Sequence, residues 1–364
     1  MSATAEDRLL GQRPPQVLAK LPAHSRVCLL NGRDILTILK SEPVIVMACN
    51  TRIKHVIPGI MRAAQELDAV VAFELARSEC SLEGGYTGFT PQLYVDTLLA
   101  AAEETNFTKP FFIHADHITV KSTAPEAIAS ARQLIEAQLA AGYTSFAIDA
   151  SFNELPDNIQ ITTELAQPIV QQNLGLEVEV GEIKSAGQEA EITTVAEAVD
   201  FIKSLKDNGV YPDLLAINNG SKHGNYLEGE KISIDLDRTG EIYGAIKDFG
   251  VCIAQHGVTG TPLHLVGRFA DYGIRKANVG TQWQNIAHAG LPEDLMADMR
   301  AWASENKKDI KFTSKPFKAK IDAIPAAYRE KIAAQAYNEA KAFIQAFRAV
   351  GTASKVVHGL VAKL

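Results

Sequence analysis

The sequence predicts an α/β protein folded as one (β/α)8 TIM barrel with a C-terminal helical extension, and three observations lead there. Eight short aliphatic or β-branched runs recur along the chain, stretches of helical composition separate them, and reactive side chains gather where the runs end. Parallel strands buried on both faces read as continuous apolar runs, and a strand alternating with a helix eight times fits a barrel. No Gly-x-Gly-x-x-Gly opens the first βα unit, which argues against the rival doubly wound sheet. A helical solenoid would not carry a strand in every unit.

Residues 1–42 form an N-terminal segment, with Pro14-Pro15 followed by a helix expected over 32–40. The barrel occupies 43–290. Its strands are expected over 44–50, 69–75, 110–116, 145–151, 175–181, 214–220, 250–256 and 273–280. The helices between them are expected over 56–67, 93–104, 125–141, 158–172, 195–207, 236–249 and 263–272, several opening on proline or a capping residue. After Gly290 the alternation stops. Residues 291–364 read as a helical extension, with helices at 292–305 and 325–348 and a linker at 307–318. The face made by Ile332, Ala336, Ala340, Phe343 and Phe347 must be covered, by the barrel wall or at a subunit interface, and a homodimer or homotetramer is expected.

With 364 residues, 46% hydrophobic and 22% charged, the composition is that of an ordinary soluble globular protein. A net charge of −7 gives no footing for nucleic acid or an anionic membrane, both of which select basic patches. Cys28, Cys49, Cys80 and Cys252 are scattered without a CxxC pair, as in a reducing compartment. Residues 1–20 lack the apolar core of a signal peptide, and no run approaches a membrane span. A cytoplasmic location is expected.

The run ends carry Asn50, Glu74, Asp116 with His117, Asp149 with Ser151, Glu179, His223, His256 and Asn278. In this fold reactive groups sit at the carboxyl ends of strands. Three imidazoles from three strands can close on one divalent ion and leave a position open for substrate, the pattern of a catalytic site. His114 and His117 are three residues apart, so they face opposite ways on an extended strand; His117 can turn inward where the strand ends and is the expected ligand. His114 is expected to pack or to orient a neighbour. Asp116 is the candidate for proton transfer, with a helix cap or an imidazole-orienting partner as the competing role. Glycines at 220, 224, 257, 260 and 280 cluster beside the same ends, and bare amides there can hold a phosphate between the loops after strands seven and eight.

The ordered motifs His114-Ala115-Asp116-His117, Ile148-Asp149-Ala150-Ser151, Glu177-Val178-Glu179-Val180-Gly181, His223-Gly224-Asn225-Tyr226, His256-Gly257-Val258-Thr259-Gly260 and Gly273 to Asn278 resemble the class II, metal-dependent fructose-bisphosphate aldolase family, including its tagatose-bisphosphate branch. The resemblance runs from about Leu30 to Ile286. It implies a catalytic Zn²⁺ held by His117, His223 and His256, with Glu179 as an alternative ligand and a monovalent cation as a further candidate. It implies that Asp116 exchanges a proton with the substrate C4 hydroxyl, and that a carboxylate on the loop 182–194 protonates the enediolate, with Glu189 the best match and Glu182 and Glu191 the alternatives. Gly224, Gly257, Thr259 and Asn278 match positions that grip the glycerone phosphate half, and Asn50 joins them as a substrate-binding candidate. The implied reaction is reversible cleavage of a phosphorylated ketose, foremost fructose 1,6-bisphosphate. The alternatives are tagatose 1,6-bisphosphate or a non-catalytic barrel subunit supporting an aldolase partner.

The chain departs from the family pattern in places. Gly257-Val258-Thr259-Gly260 replaces Gly-Gly-Ser-Gly, and Val279-Gly280-Thr281 follows Asn278 where an Asp is usual. Arg77, Arg275 and Arg329 are the candidates for a distal phosphate clamp. Alternation also places Glu177 with Glu179 on one face and Lys276 with Asn278 on another; because an unpaired buried charge is costly, Lys276 is expected to pair with Glu177 inside the barrel.

Overall fold

The computed structural model describes residues 5–181, 192–221 and 234–363. Eight parallel strands close into a barrel in chain order: β1 (Val46–Asn50), β2 (Val71–Ala76), β3 (Phe111–Thr119), β4 (Ser145–Asp149), β5 (Gly175–Val180), β6 (Leu214–Ile217), β7 (Cys252–Gln255) and β8 (Ile274–Val279). All eight fall on the expected runs. The barrel is the (β/α)8 fold, with helices between successive strands.

Local chemistry sets the helix ends. Thr90 accepts a hydrogen bond from the Leu93 amide ahead of the helix Pro91–Glu104, and Thr194 with Glu197 forms a reciprocal capping box at the helix Val195–Asp207. Pro125–Ala141 ends on Gly142 at φ 107°, a left-handed position that glycine adopts without strain. The expected helix 263–272 is instead two short turns, Leu263–Val266 and Phe269–Tyr272, split at Gly267-Arg268. The expected linker 307–318 contains a 3-10 turn, Ile310–Thr313, opened by the Asp309 side chain.

Strand pleating sorts the side chains into two environments. Ile45, Met47, Phe73, Leu75, Phe111 and Ile113 pack outward against the helices, in the larger core. Val46, Ala48, Ala72, Phe112, Ala216 and Ala254 belong to a second cluster inside the barrel, joined below by Leu36, Leu39, Ala353 and Val356. The N-terminal segment and the last helix, Thr352–Val361, thus close one end of the barrel together. These small interior side chains leave room above them for larger polar ones.

The long helix Ala326–Ala346 lies on the barrel wall, with Ile332, Ala333, Ala336, Ala340, Phe343 and Ile344 buried. It approaches the helix Ile57–Glu66 so closely that a Cβ at Gly59 would sit 2.0 Å from the Ala333 carbonyl oxygen. Ion pairs Arg62–Glu330 (2.6 Å) and Lys341–Glu66 (2.6 Å) flank that crossing. No described helix is long and apolar enough to cross a membrane. All four cysteines are buried, and none forms a disulfide.

Strand β3 corrects one sequence expectation. It does not stop at Asp116 but runs on to Thr119, and its register against β4 shifts between Ala115 and Ile118. Within the shift His117 takes φ 40°, a left-handed value rare outside glycine. On a regular strand Asp116 and His117 would face opposite ways. The bulge brings both to the barrel mouth.

Candidate active site

The polar layer inside the barrel begins with a buried cation. Lys276 Nζ lies 3.0 Å from Glu74 Oε2 and 3.0 Å from Glu177 Oε2, and donates to Asn278 Oδ1 at 2.7 Å. The expected Lys276–Glu177 pair is present, and Glu74 shares it. Burial alone would strip the proton from this amine, but Glu177 and Glu74 hold it as an ammonium, above the ordinary lysine value. An ammonium held this way is a poor imine-forming nucleophile. Burial raises the Glu74 carboxyl well above its usual range. Glu74 looks like a rim residue in the sequence; because β2 continues to Ala76, it lies one layer deeper and fully buried.

Glu177 also turns upward: its Oε1 is 2.7 Å from His256 Nε2. His114 is buried beside it, with Nδ1 2.8 Å from Ser145 Oγ and Nε2 3.5 Å from Glu177 Oε2. Burial first and Lys276 second keep that ring neutral. His114 therefore packs and orients, as its position on the strand implies.

At the mouth, Asp116 accepts from two amides, Asn50 Nδ2 at 2.9 Å and Asn278 Nδ2 at 2.9 Å. The strand register makes this possible, because Asn50 and Asn278 come from neighbouring strands β1 and β8 while Ala76 on β2 pairs with Asp116. Burial disfavours the Asp116 charge, yet His117, Lys276 and His256 together hold its carboxyl well below the ordinary range. Asn50 Nδ2 also reaches Glu79 Oε2 at 3.2 Å, and Glu79 is met by Arg52 Nε at 2.7 Å and the Tyr86 hydroxyl at 3.0 Å. Glu79, from the loop after β2, was invisible to sequence reasoning because it stands at no strand end.

His117 Nδ1 is 3.2 Å from Glu179 Oε2 and 3.6 Å from Asp149 Oδ2, and its ring centroid is 4.3 Å from that of His256. Burial opposes its protonation, but Asp116 and Glu179 prevail and raise its pKa well above 6.5. Burial and the adjacent Asp149 push the Glu179 carboxyl up to about 8. Ser151 donates to Asp149 and fixes that carboxylate.

Among the described residues three donor groups have ligand atoms within 4.8 Å of one another: Asp116 with His117 and His256, His117 with Asp149 and Glu179, and, deeper in the barrel, Glu74 with His114 and Asp116. Imidazole nitrogen with carboxylate oxygen is a donor set for a borderline or hard divalent ion. A cation here would also favour the ionised Glu179 that burial opposes, so the residues fit a metal. Of the sequence candidates, Asn50, Asp116, His117, Glu179, His256 and Asn278 come together at this mouth. His223, Gly224 and Glu189 lie outside the described residues.

A cavity of about 1110 Å³ opens above the cluster, lined among others by Asn50, Asp116, His117, Glu179, Thr259 and Asn278. Gly257, at φ 67°, and Gly280, at the start of the helix Thr281–Gly290, also line it. A Cβ on Gly280 would come within 3.1 Å of Arg52 and 3.2 Å of Asn50 Oδ1. The Thr259 hydroxyl accepts from the Gln282 amide in that helix's first turn. Arg275 lies elsewhere, bound to the carbonyls of Lys40, Ala270 and Ile274. Arg329 is exposed on the long C-terminal helix, and neither residue lines the cavity.

A parallel (β/α)8 barrel with an imidazole–carboxylate cluster around an activated Asp at its carboxyl-end rim defines a barrel enzyme whose site suits a divalent ion. The chain belongs to the fructose-bisphosphate aldolase class-II family, whose sequence model matches residues 30–351. It is thus an aldolase of the metal-dependent class, a carbon–carbon lyase acting on a phosphorylated sugar. It is 27% identical over 277 residues to a fructose-bisphosphate aldolase of Streptococcus pneumoniae, covering 75% of this chain and 86% of that one. It is 26% identical over 296 residues to that of Staphylococcus epidermidis, covering 79% and 95%. Among solved structures, the YdjI aldolase of Escherichia coli K12 superposes with a TM-score of 0.62 at 18% identity, covering 88% of this chain and 98% of that one. The fructose-bisphosphate aldolase of Campylobacter jejuni gives 0.62 at 16% identity, covering 89% and 97%. These likenesses confirm the fold.

Proposed function

We propose that the protein is a zinc-dependent aldolase that reversibly cleaves fructose 1,6-bisphosphate to glycerone phosphate and glyceraldehyde 3-phosphate. One observation carries the reading: Asp116 is held ionised by two amides directly beside His117 and His256. His117 and His256 would hold the ion, with His223 as third ligand and Glu179 as alternative. The ion supplies Lewis-acid stabilisation of the negative charge that develops on the C2 oxygen.

The chain's own residues do the rest. Asp116 takes the proton from the C4 hydroxyl as the C3–C4 bond breaks and its electron pair passes into the C2–C3 enediolate. Asn50 and Asn278 fix both carboxylate oxygens so that the base needs no reorientation. The loops after β7 and β8, with Gly257, Thr259 and the amide end of the helix Thr281–Gly290, receive the phosphate on the glycerone side. Glu189 returns a proton to C3. Residues 43–290 are the catalytic barrel, 1–42 and 291–364 its integral extensions, and the working form is a cytoplasmic homo-oligomer serving glycolysis.

The test is cleavage of fructose 1,6-bisphosphate and tagatose 1,6-bisphosphate by the zinc-loaded protein, with and without a chelator. Turnover of the fructose ester that chelation abolishes is expected. A preference for the tagatose ester would reverse the C4 assignment, and inert behaviour towards every ketose phosphate would leave only a non-catalytic subunit.

A further inference from the structure

The proposed base, Asp116, is held at both oxygens by asparagine amides, and an amide can do this only when its nitrogen, not its oxygen, faces the carboxylate. On the Oδ1 side the choice is made inside the barrel, where the Lys276 ammonium occupies Asn278 Oδ1. On the Oδ2 side it is made by an anion. Asn50 Nδ2 lies 2.9 Å from Asp116 Oδ2 and 3.2 Å from Glu79 Oε2, so its two hydrogens are shared between two carboxylates. Turned over, the same amide would set its oxygen against both, and each carboxylate thus reinforces the orientation that the other needs.

The surroundings of Glu79 keep it in this place. It is buried on the loop after β2, and four donors converge on its two oxygens. Oε2 accepts from Asn50 Nδ2 and from the Ala76 amide at 3.0 Å; Oε1 accepts from Arg52 Nε at 2.7 Å and from the Tyr86 hydroxyl at 3.0 Å. Only a carboxylate accepts at both ends, whereas a side-chain amide would turn N–H groups on one pair of donors. Arg52 balances the charge of Glu79, and Gln284 Oε1 braces Arg52 in turn at 2.9 Å. The C-terminal extension fixes the loop from outside. The Lys315 amide donates to the Tyr86 carbonyl at 3.0 Å, Lys315 Nζ donates to the Glu83 carbonyl at 2.7 Å, and Phe312 meets the Tyr86 ring edge-on with centroids 5.4 Å apart.

We infer that Glu79 is a positioning residue for the cleavage step: it acts through Asn50 to aim an N–H at Asp116, and the C-terminal extension holds it there through Tyr86. The consequence rests on the aldolase reading, in which Asp116 works only where the C4 hydroxyl gives up its proton. Exchange of the C3 hydrogen of glycerone phosphate with solvent uses Glu189 in that reading and leaves Asp116 idle. Glu79 therefore serves one half of the chemistry and not the other, a division that a residue merely keeping the site folded would not show.

Kinetics of the zinc-loaded full chain test this. Glu79→Gln is expected to lower kcat for fructose 1,6-bisphosphate cleavage roughly 10- to 100-fold, the usual worth of a hydrogen bond to a charged group, while KM and the rate of C3 exchange each stay within about threefold of wild type. In an Asn50→Ala background the same change should have less than about a twofold further effect, because the amide it acts through is gone. Equal loss of cleavage and exchange, undiminished cleavage, or additive losses in the double variant overturn the assignment. Should Glu79→Gln not fold, Tyr86→Phe, which takes one hydroxyl from Oε1, replaces it and should show the same selective loss at smaller size. A crystal structure of Glu79→Ala asks the question without turnover: Asn50 is expected to turn away from Asp116, and an Asn50 still within hydrogen-bond distance overturns the inference. Wild-type protein that neither cleaves a ketose phosphate nor exchanges the C3 hydrogen would sink the aldolase reading and leave the crystal structure to decide the role of Glu79. Wild-type turnover in which Glu79→Gln reduces both reactions alike would keep that reading and sink the positioning role.

Discussion

Lys276 and Asp116 are joined by one amide: Asn278 accepts the Lys276 ammonium on Oδ1 at 2.7 Å and donates from Nδ2 to Asp116 Oδ1 at 2.9 Å. The ammonium fixes which way round the amide sits, so an N–H always faces the carboxylate. Asn278→Asp keeps the shape but turns that donor into a second anion. We expect kcat for aldol cleavage to fall roughly 100-fold, more than for Asn278→Ala, which removes the donor without adding charge. Steady-state assays of the two variants decide; a milder Asp variant contradicts the account.

Removing Lys276 itself leaves Glu74 and Glu177 buried with no cation between them. Breaking a buried pair in this way costs about 3–5 kcal/mol. Lys276→Met is therefore expected to lower the urea midpoint sharply. Adding Glu74→Gln should return part of the loss, because the buried carboxyl left without its cation is gone. Equilibrium unfolding of the single and double variants is the check.

His117→Ala and His256→Ala each remove an imidazole from the donor group at the barrel mouth. Metal analysis after dialysis against zinc should show bound metal falling below one ion per chain. Zinc should also raise the Tm of the wild type and of neither variant, because a ligand stabilises only the form that binds it. A wild-type Tm indifferent to zinc would count against the site.

His288 provides a pH prediction away from the catalytic centre. Its Nε2 is buried without a hydrogen-bond partner among the described residues, and burial lowers its pKa to about 4. The unfolded chain, with histidine near the ordinary 6.5, binds a proton between these values that the folded chain refuses. The neutral ring's contribution is complete above about pH 6.5 and is lost as the pH falls towards about 4. His288→Leu should flatten the stability-versus-pH curve in that window. Parallel curves for variant and wild type would refute it.

Gly59 marks where the C-terminal extension grips the barrel. A side chain there meets the Ala333 carbonyl and the Tyr337 amide nitrogen, neither of which can move without shifting the helix. Gly59→Val should cost about 3 kcal/mol or more through overpacking, seen as a lower Tm. Gly244→Val, at a glycine with nothing nearby, is the control.

The eight strands were legible because burial on both faces writes each as an apolar run, and the gaps between runs are the right length for helices. His117, His256 and Asp116 were legible for a related reason, since a strand end is where polarity returns. The depth of each residue was not. Glu74 and Asn50 both close an apolar run in the sequence, yet one lies in the buried ion pair and the other at the mouth, because β2 continues past its glutamate. The bulge at His117 is likewise written in no residue preference; it arises from the register that β4 imposes on β3. Arg77 resembles any surface arginine until the Thr119 carbonyl and Ser130 are seen beside it.

The helix Thr352–Val361 and the N-terminal segment seal the same end of the barrel, with Leu9, Leu10, Ala353 and Val356 in one cluster with Val44 and Val46. A nascent chain leaving the ribosome can pair all eight strands and still lack a base for them. Only when the helix Thr352–Val361 docks does that apolar ring leave water, so completion of the barrel's base is expected to follow synthesis of all eight strands.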